Sequence, residues 1–271
     1  MKNPFDNPVA WLDSRSRVRE KRLWILASFF VAVPLLISLF LVCVVGGGHD
    51  DFSPFPDFGL AIAGIAVFAH GALLVLLAAL GSAQRISQER ERRTLPALVN
   101  SPLTARQIAT GKLLGAWRFV AWLAFFTLPF LAASSVWGGL PAWRVLACWL
   151  LDLAAAMAVS SFALGLSGLF GRSLSAYLAT GSFLFLWCAV TPVFFGIVGA
   201  FLESKDLIGD QAVLAVSFFH LPLVPQAWLV YERFGVNCPG WLVFGTALAS
   251  WTALAALGRL LAVRGLKREV L

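Results

Sequence analysis

Long apolar runs alternate with short polar or glycine- and proline-containing connections along this chain. Six of the runs exceed about 20 residues, which is the length that an α-helix needs to cross the hydrocarbon core of a bilayer. They cover residues 23–45, 59–80, 118–138, 145–170, 174–202 and 241–263. The pattern predicts an all-α, polytopic membrane protein with six transmembrane helices.

A further apolar stretch, residues 212–230, allows two interpretations. It is interrupted by polar residues and prolines: Ser217, His220, Pro222, Pro225 and Gln226. If it crossed the membrane, the basic cluster 259–268 would lie outside. Prolines near its middle instead favour a re-entrant or interfacial helical hairpin on the outer face. We therefore expect the outer segment 203–240, between spans five and six, to be re-entrant.

The composition supports a membrane protein. Of the 271 residues, 59% are hydrophobic and 13% are charged, whereas globular chains are roughly 45–50% apolar and about 25% charged. A soluble domain this apolar has too little polar surface to cover itself, and a disordered chain would be far more polar. The four cysteines show neither a disulfide framework nor the spacing of metal ligands.

The net charge of +7 follows the predicted topology. Of the 21 lysines and arginines, six precede the first span, seven lie from Arg85 to Arg118, one is Arg172 and four follow residue 258. The positive-inside rule then places both termini, the second connection and the fourth connection in the cytoplasm. We expect a multi-pass protein of the inner membrane with no nucleic-acid partner. Its parts are a basic N-terminal segment 1–22, a membrane domain 23–263 with a cytoplasmic loop 81–117, and a tail 264–271.

The sequence of the cytoplasmic loop predicts a charged helix, followed by a short helical turn and the start of another helix. Glu89 and Arg93 are four residues apart, in the order that stabilises an exposed helix. Thr94 is expected to be the N-cap of a single helical turn. Ser101 and Pro102 are then expected to begin the next helix, as its N-cap and first helical residue.

The short helical turn between Thr94 and Ser101 has an apolar face. Leu95, Leu98 and Val99 lie on one side of a helix over residues 95–99. Because charged helices hold this face away from the bilayer, it needs a partner. Two interpretations remain from the residues alone: the turn docks onto another protein, or it lies on the membrane surface or on its own helix bundle.

The residues of this loop follow one ordered pattern: E-x-E, T-L, an apolar turn, [ST]-P-L-[ST], an Ile and G-K. They are Glu89, Glu91, Thr94, Leu95, Ser101, Pro102, Leu103, Thr104, Ile108, Gly111 and Lys112. The pattern resembles the first cytoplasmic loop of type-2 ATP-binding-cassette (ABC) permeases. The order of elements over nearly the whole chain is also similar: a basic N-terminal segment, six spans and a partly re-entrant stretch before the last.

In that family the short turn is a coupling helix that docks in a groove of an ATPase subunit. The resemblance implies that residues 95–100 dock in this chain. It assigns ATPase docking to Glu89, Glu91, Thr94, Leu95, Leu98, Val99, Ser101 and Pro102. The two glutamates would hold the turn or contact the ATPase. Pro96 stands where a better helix former is expected, although a proline in the first turn is tolerated.

The N-terminal segment 1–22 also resembles the start of many bacterial members of the family. There it forms an elbow helix along the inner membrane surface. The residues alone also allow a solvated basic tail that is attracted to anionic lipid.

The resemblance implies a permease subunit of an ABC transporter, with an exporter favoured. The sequence has no G-x-x-x-x-G-K-[ST] phosphate loop, so ATP and Mg²⁺ would be bound by a separate ATPase subunit. The chain itself would be no enzyme and would hold no cofactor or metal. Six spans supply half a pathway, which implies a second permease, identical or homologous, and two cassette ATPases. The alternative is a non-transporting membrane protein, regulated by a docked ATPase, that acts on an outer-face partner.

Two polar residues lie deep in the predicted spans. Asp152 is roughly 10 Å from the outer end of span four, at 1.5 Å per residue, and His70 is near the middle of span two. A carboxylate near the bilayer centre costs about 2.5–3.5 kcal/mol, so Asp152 should face the bundle interior or water. Each residue either belongs to a substrate or proton pathway or makes a structural hydrogen bond. The two would meet if spans two and four are adjacent.

The predicted orientation has a direct test by labelling. In a cysteine-free background, Lys205→Cys, in the predicted outer segment, should react with a membrane-impermeant maleimide in intact cells. Arg92→Cys, in the cytoplasmic loop, should react only after the cells are permeabilised, because 18 of the 21 basic residues place this loop inside. Labelling of position 92 in sealed cells would contradict the orientation.

Overall fold

A computed structural model describes residues 8–11, 56–138, 141–187 and 240–268, together with positions 25, 28, 32 and 36. Every regular element in these ranges is a helix, which confirms the all-α prediction for this part of the chain. Most of the first predicted span, the end of the fifth, and the outer segment 203–240 except for Gly240 lie outside the described residues.

Seven helices follow residue 55 within the described ranges. They are α1 (Pro56–Ala83), α2 (Ser87–Glu91), α3 (Leu95–Val99), α4 (Ala105–Gly138), α5 (Ala142–Leu169), α6 (Ser173–Phe185) and α7 (Gly240–Lys267).

Three helical segments of the described chain are long and apolar enough to cross a membrane: Ala66–Glu91, Ala142–Leu169 and Phe244–Lys267. They contain most of the predicted spans two, four and six, so this part of the chain agrees with a multi-pass protein. The first segment ends in the polar α2, which lies beyond its apolar part. α4 contains the predicted span three, and α6 contains the beginning of span five.

α5 is the central helix of the described bundle, and it packs against α1, α4, α6 and α7. Small side chains on α5 let the neighbouring helices approach closely. Those that are buried include Ala155, Ala156, Ser160, Ser161, Ala163, Gly165 and Gly168. Larger residues on the neighbours fill the remaining space, among them Leu74 of α1, Leu123 of α4 and Trp251 of α7.

A second apolar cluster closes the end of the bundle at which the predicted cytoplasmic loop lies. It consists of Ile86, Leu95, Ile108, Ala109, Leu113, Leu164, Ala262 and Leu266. These residues come from the turn before α2, from α3, from the start of α4 and from the ends of α5 and α7. The loop therefore packs against the ends of three long helices.

α5 and α7 approach so closely that part of their contact has no room for side chains. A Cβ atom on Gly258 of α7 would lie 2.3 Å from the carbonyl oxygen of Ser161. A Cβ atom on Gly165 of α5 would lie 2.5 Å from the carbonyl oxygen of Gly258. Both distances are far below van der Waals contact, so these positions require glycine.

The same substitution at two glycines of α7 should have different effects on stability. Gly258→Ala forces the two backbones apart and should lower the free energy of unfolding by about 1–3 kcal/mol. Gly245→Ala meets no atom within 4 Å and should leave stability unchanged or slightly higher, since alanine favours helix over glycine. Thermal unfolding of the purified variants in detergent measures both. Equal stability of the two variants would contradict the close contact.

Candidate functional site

α2 begins with a cap that is supplied by another helix. The backbone N–H groups of Ile86 and Ser87 each donate to Ser167 Oγ of α5 at 3.0 Å. The first N–H groups of a helix have no partner within it, so a side-chain oxygen at this place stabilises the helix end. The hydroxyl groups of Ser87 and Ser167 also lie 3.1 Å apart. The start of α2 is therefore fixed to the central helix.

The charged residues of α2 then bind two further helix ends. Lys112 Nζ of α4 donates to Glu89 Oε1 at 2.6 Å. The guanidinium of Arg90 donates to the carbonyl oxygens of Gly168, at 3.2 Å, and of Phe170. These carbonyls lie at the C-terminus of α5, where a cation is stabilised by the helix dipole.

Glu91 binds the start of α6. Its carboxylate accepts hydrogen bonds from the backbone N–H of Ser173, at 2.8 Å, and from the Ser173 hydroxyl. The hydrogen bond from the hydroxyl, followed by that from the backbone, lowers the pKa of Glu91 below its ordinary value, and Arg172 acts in the same direction. Glu91 is therefore ionised at neutral pH, and it joins the loop to the fourth connection.

The burial of Lys112 explains why position 89 requires an acidic residue. Lys112 is only 1% exposed, and a buried ammonium group is costly unless it is paired. Glu89 supplies the opposite charge. Glu89, the first acidic residue of E-x-E, and Lys112 of G-K therefore form one ion pair.

The exposed helix expected to run through Arg93 does not form, and the expected Glu89–Arg93 pair is wrong. α2 ends at Glu91, and Arg93 adopts a left-handed φ of 58°. The N–H of Arg93 donates to Arg90 O at 3.1 Å, and the N–H of Thr94 donates to Glu89 O at 2.9 Å. These two bonds form a Schellman C-cap, which reverses the chain.

α3 covers Leu95–Val99, as predicted, but its start is not capped as expected. Thr94 occupies the N-cap position without a side-chain hydrogen bond to α3. Its hydroxyl instead donates backwards to Glu89 O at 3.2 Å. Thr94 therefore stabilises the end of α2 rather than the start of α3.

The apolar face of α3 forms, but it faces the chain's own helices. Leu95 is 1% exposed within the second cluster, and Leu98 and Val99 pack against that cluster half-buried. The side chain of Leu95 is therefore covered by the chain's own bundle, and the docking of the turn onto a partner stays a prediction. Pro96 and Ala97 form the exposed side of the turn.

α4 begins three residues later than predicted, so the prediction that Ser101 and Pro102 start it is wrong. Thr104 and Gln107 form a capping box instead. The N–H of Gln107 donates to Thr104 Oγ1 at 3.3 Å, and the N–H of Thr104 donates to Gln107 Oε1 at 2.8 Å. These two reciprocal hydrogen bonds give partners to two backbone N–H groups at the start of the helix, whereas a single serine cap supplies one. The Ser101 hydroxyl donates to Leu98 O at 2.6 Å and closes the end of α3.

A groove separates α3 from the amino-terminal residues 8–11. It has a volume of about 400 Å³ and is lined by Pro8, Val9, Glu89, Thr94, Ala97, Leu98, Ser101 and Leu103. Residues 8–11 are helical, and Val9 and Ala10 are buried. This part of the N-terminal segment therefore lies beside the predicted docking turn. The remainder of segment 1–22 lies outside the described residues.

A second polar site is buried in the middle of the bundle. His70 Nδ1 of α1 lies 2.6 Å from Asp152 Oδ2 of α5, and His70 Nε2 lies 2.6 Å from Thr127 Oγ1 of α4. All three residues are at most 2% exposed. The predicted meeting of His70 and Asp152 is confirmed. Their burial favours the structural interpretation over an open pathway.

The second site joins three helices. Thr127 Oγ1 also donates within its own helix, to Ala124 O at 2.8 Å. Both ring nitrogens of His70 lie within hydrogen-bond distance of a polar atom on another helix, as buried polar groups require. The site is a polar link between α1, α4 and α5.

Several residues of these sites have no distinct signal in the sequence. Ser167, Arg90 and Ser173 act through contacts to residues about 80 positions away, which no local pattern shows. Thr127 is one hydroxyl in an apolar run. Within the described residues, no group of three or more His, Cys, Asp or Glu side chains could hold a metal ion.

Substitutions at Asp152 distinguish a structural link from a pathway. Asp152→Asn provides an amide group as a hydrogen-bond partner for His70 Nδ1. We therefore expect unchanged thermal stability of the chain and unchanged activity of the complex that contains it. Asp152→Leu leaves the buried ring nitrogen without this partner and should lower stability by about 1–3 kcal/mol. Thermal unfolding in detergent checks both variants. Loss of activity in Asp152→Asn at unchanged stability would place the residue in a pathway instead.

The whole chain was also compared with known proteins. The sequence model described as ABC-2 family transporter protein matches residues 7–263. No curated protein matches the chain. The match spans both polar sites and every helix from α1 to α6, together with most of α7. The chain therefore belongs to the ABC-2 transporter family, whose members are membrane-spanning permease subunits of ABC transporters.

Proposed function

We propose that this chain is an exporter permease of the inner membrane, and that α3 is the coupling helix through which a separate ATPase subunit drives it. The observation that carries the proposal is the set of bonds from α2. They hold a short helix, α3, at one end of the bundle and connect it to α4, α5 and α6. ATP and Mg²⁺ would be bound by the ATPase.

The exposed side of α3 is the proposed docking surface. Pro96, Ala97 and Asn100 are exposed and carry no charge, and half-buried Leu98 lines the adjoining groove. Small, uncharged side chains allow a partner surface to approach closely. Leu95 supports the turn from behind, since it lies in the second cluster.

α2 is the proposed route by which docking moves the membrane helices. A displacement of α3 acts directly on α2, to which it is joined by the Schellman C-cap. Glu89 then acts on α4 through Lys112, Arg90 acts on the end of α5, and Glu91 acts on the start of α6. One movement of the ATPase would therefore tilt three helices together.

The proposed complex contains two permeases and two ATPases. Each chain would provide six spans, with both termini in the cytoplasm and the segment 203–240 re-entrant on the outer face. The cytoplasmic placement of both termini is supported by the distribution of basic residues and by the positive-inside rule. The second permease would be a copy of this chain or a homologue.

Replacing Ala97 tests the docking surface. Ala97→Asp places a charge in the proposed contact, where an unpaired charge costs several kcal/mol. Since each 1.4 kcal/mol is a factor of ten, we expect the affinity for the ATPase to fall by more than about 100-fold. The variant should still insert and unfold at the normal temperature, because Ala97 is exposed. Co-purification and ATP hydrolysis measure the loss.

Two matched variants complete this experiment. Ala97→Ser keeps a small uncharged side chain and should bind the ATPase as the parent does. Leu95→Ala leaves a cavity in the second cluster and should lower the stability of the chain itself by about 2–5 kcal/mol. An Ala97→Asp complex that assembles and hydrolyses ATP like the parent would refute the docking role of α3.

A further inference from the structure

Exposed arginines lie close to α3 along the chain and beside α2. Arg92 and Arg93 precede α3, with Thr94 between, and Arg106 lies in the first turn of α4. Arg172 directly precedes α6, the start of which binds Glu91 of α2. All four arginines are exposed.

The acidic residues of this surface already have partners within the chain. Glu89 binds Lys112, and Glu91 binds Ser173. The sequence has no other Asp or Glu in residues 84–107 or 170–173. Although Arg172 lies near Glu91, positive charges outnumber carboxylates in these two ranges of the chain.

We propose that the ATPase surface facing α3 is acidic, and that Arg92, Arg93, Arg106 and Arg172 bind its carboxylates. This proposal rests on the proposed function and adds the chemistry of the partner. The planar guanidinium group matches a carboxylate with two parallel hydrogen bonds, which makes arginine well suited to such an interface. The glutamates of the E-x-E pair hold the turn within the chain, and the arginines make the contacts to the partner.

Arg93 provides an independent observation. Its φ of 58° belongs to the left-handed region, and the position that it occupies in the Schellman C-cap is normally glycine. The cap uses only backbone groups of Arg93 and Thr94, so glycine would make the same bonds with less strain. The fold therefore does not require an arginine at this position, which points to a role for its side chain in binding.

A protein partner fits this surface better than a lipid headgroup. Arginines would also be attracted to anionic lipid. However, they flank the uncharged, exposed side of α3 that is formed by Pro96 and Ala97. A weakly polar centre within a charged rim is typical of protein interfaces.

Arg93→Gly separates binding from stability. In the full-length chain, we expect an unchanged or higher unfolding temperature, because the strained backbone is relieved. We expect the affinity for the cassette ATPase that co-purifies with the parent chain, identified by mass spectrometry and ATP hydrolysis, to fall roughly twofold to fivefold. The double variant Arg92→Gln/Arg93→Gly should lose more. Raising the salt from about 0.1 M to about 0.5 M should weaken the parent complex more than the double variant.

Three control variants define the effect. Arg93→Lys keeps the charge and should retain most of the affinity. Arg93→Asn tolerates the left-handed backbone and should lose affinity as Arg93→Gly does. Arg144→Gln removes one positive charge at the opposite end of the bundle and should bind the ATPase normally.

The outcomes separate this proposal from the proposed function. If the double variant keeps the parent's affinity and salt dependence while Ala97→Asp abolishes the complex, the acidic partner surface is refuted and docking by α3 stands. If Ala97→Asp also binds normally, the proposed function itself fails. The double variant can also be compared with the parent in two kinds of vesicle. If it loses affinity for the ATPase in vesicles that contain phosphatidylglycerol but not in phosphatidylcholine vesicles, the arginines bind lipid, and the proposal is overturned.

Discussion

The buried ammonium group of Lys112 is the constraint on which the cytoplasmic site depends. It lies inside the bundle, at 1% exposure, where only an opposite charge makes it tolerable. Glu89 meets that need, and its position fixes α2 against α4. The main chain of Glu89 then accepts the hydrogen bond that ends α2 and reverses the chain into α3. One residue therefore satisfies a buried charge with its side chain and shapes the turn with its carbonyl.

Hydrophobic length and the distribution of basic residues were enough to predict a helical membrane protein. The helix at Leu95–Val99 was also predictable, since turn signals surround a short apolar stretch. The meeting of His70 and Asp152 could be stated only as a condition, because burial of two polar residues implies a partner without naming it. The orientation and the count of six spans are predictions of the same sequence arguments.

The details of the loop could not be predicted because they depend on other parts of the chain. An apolar face on Leu95 and its neighbours shows that the turn must be covered, but it does not show by what. The covering residues include Leu164 and Leu266, far away in sequence. Likewise, Glu89 and Arg93 have ideal spacing for a helical pair, and the reversal at Arg93 removes the helix that would hold them. Ser101 and Thr104 both suit an N-cap, and only Thr104 has a glutamine three residues later.

The hydrogen bonds of α2 to distant parts of the chain have a consequence for the biosynthesis of this protein. Its partners Ser167, Phe170 and Ser173 follow their binding residues by about 80 positions. Contacts of such separation form late, because the intervening chain must first be synthesised and ordered. When α3 leaves the ribosome, most of the structure that holds it does not yet exist. The turn α3 would therefore reach its final structure only after α4 and α5 have been made. If α3 docks an ATPase as proposed, the bonds of α2 would make completion of these helices a condition for binding it.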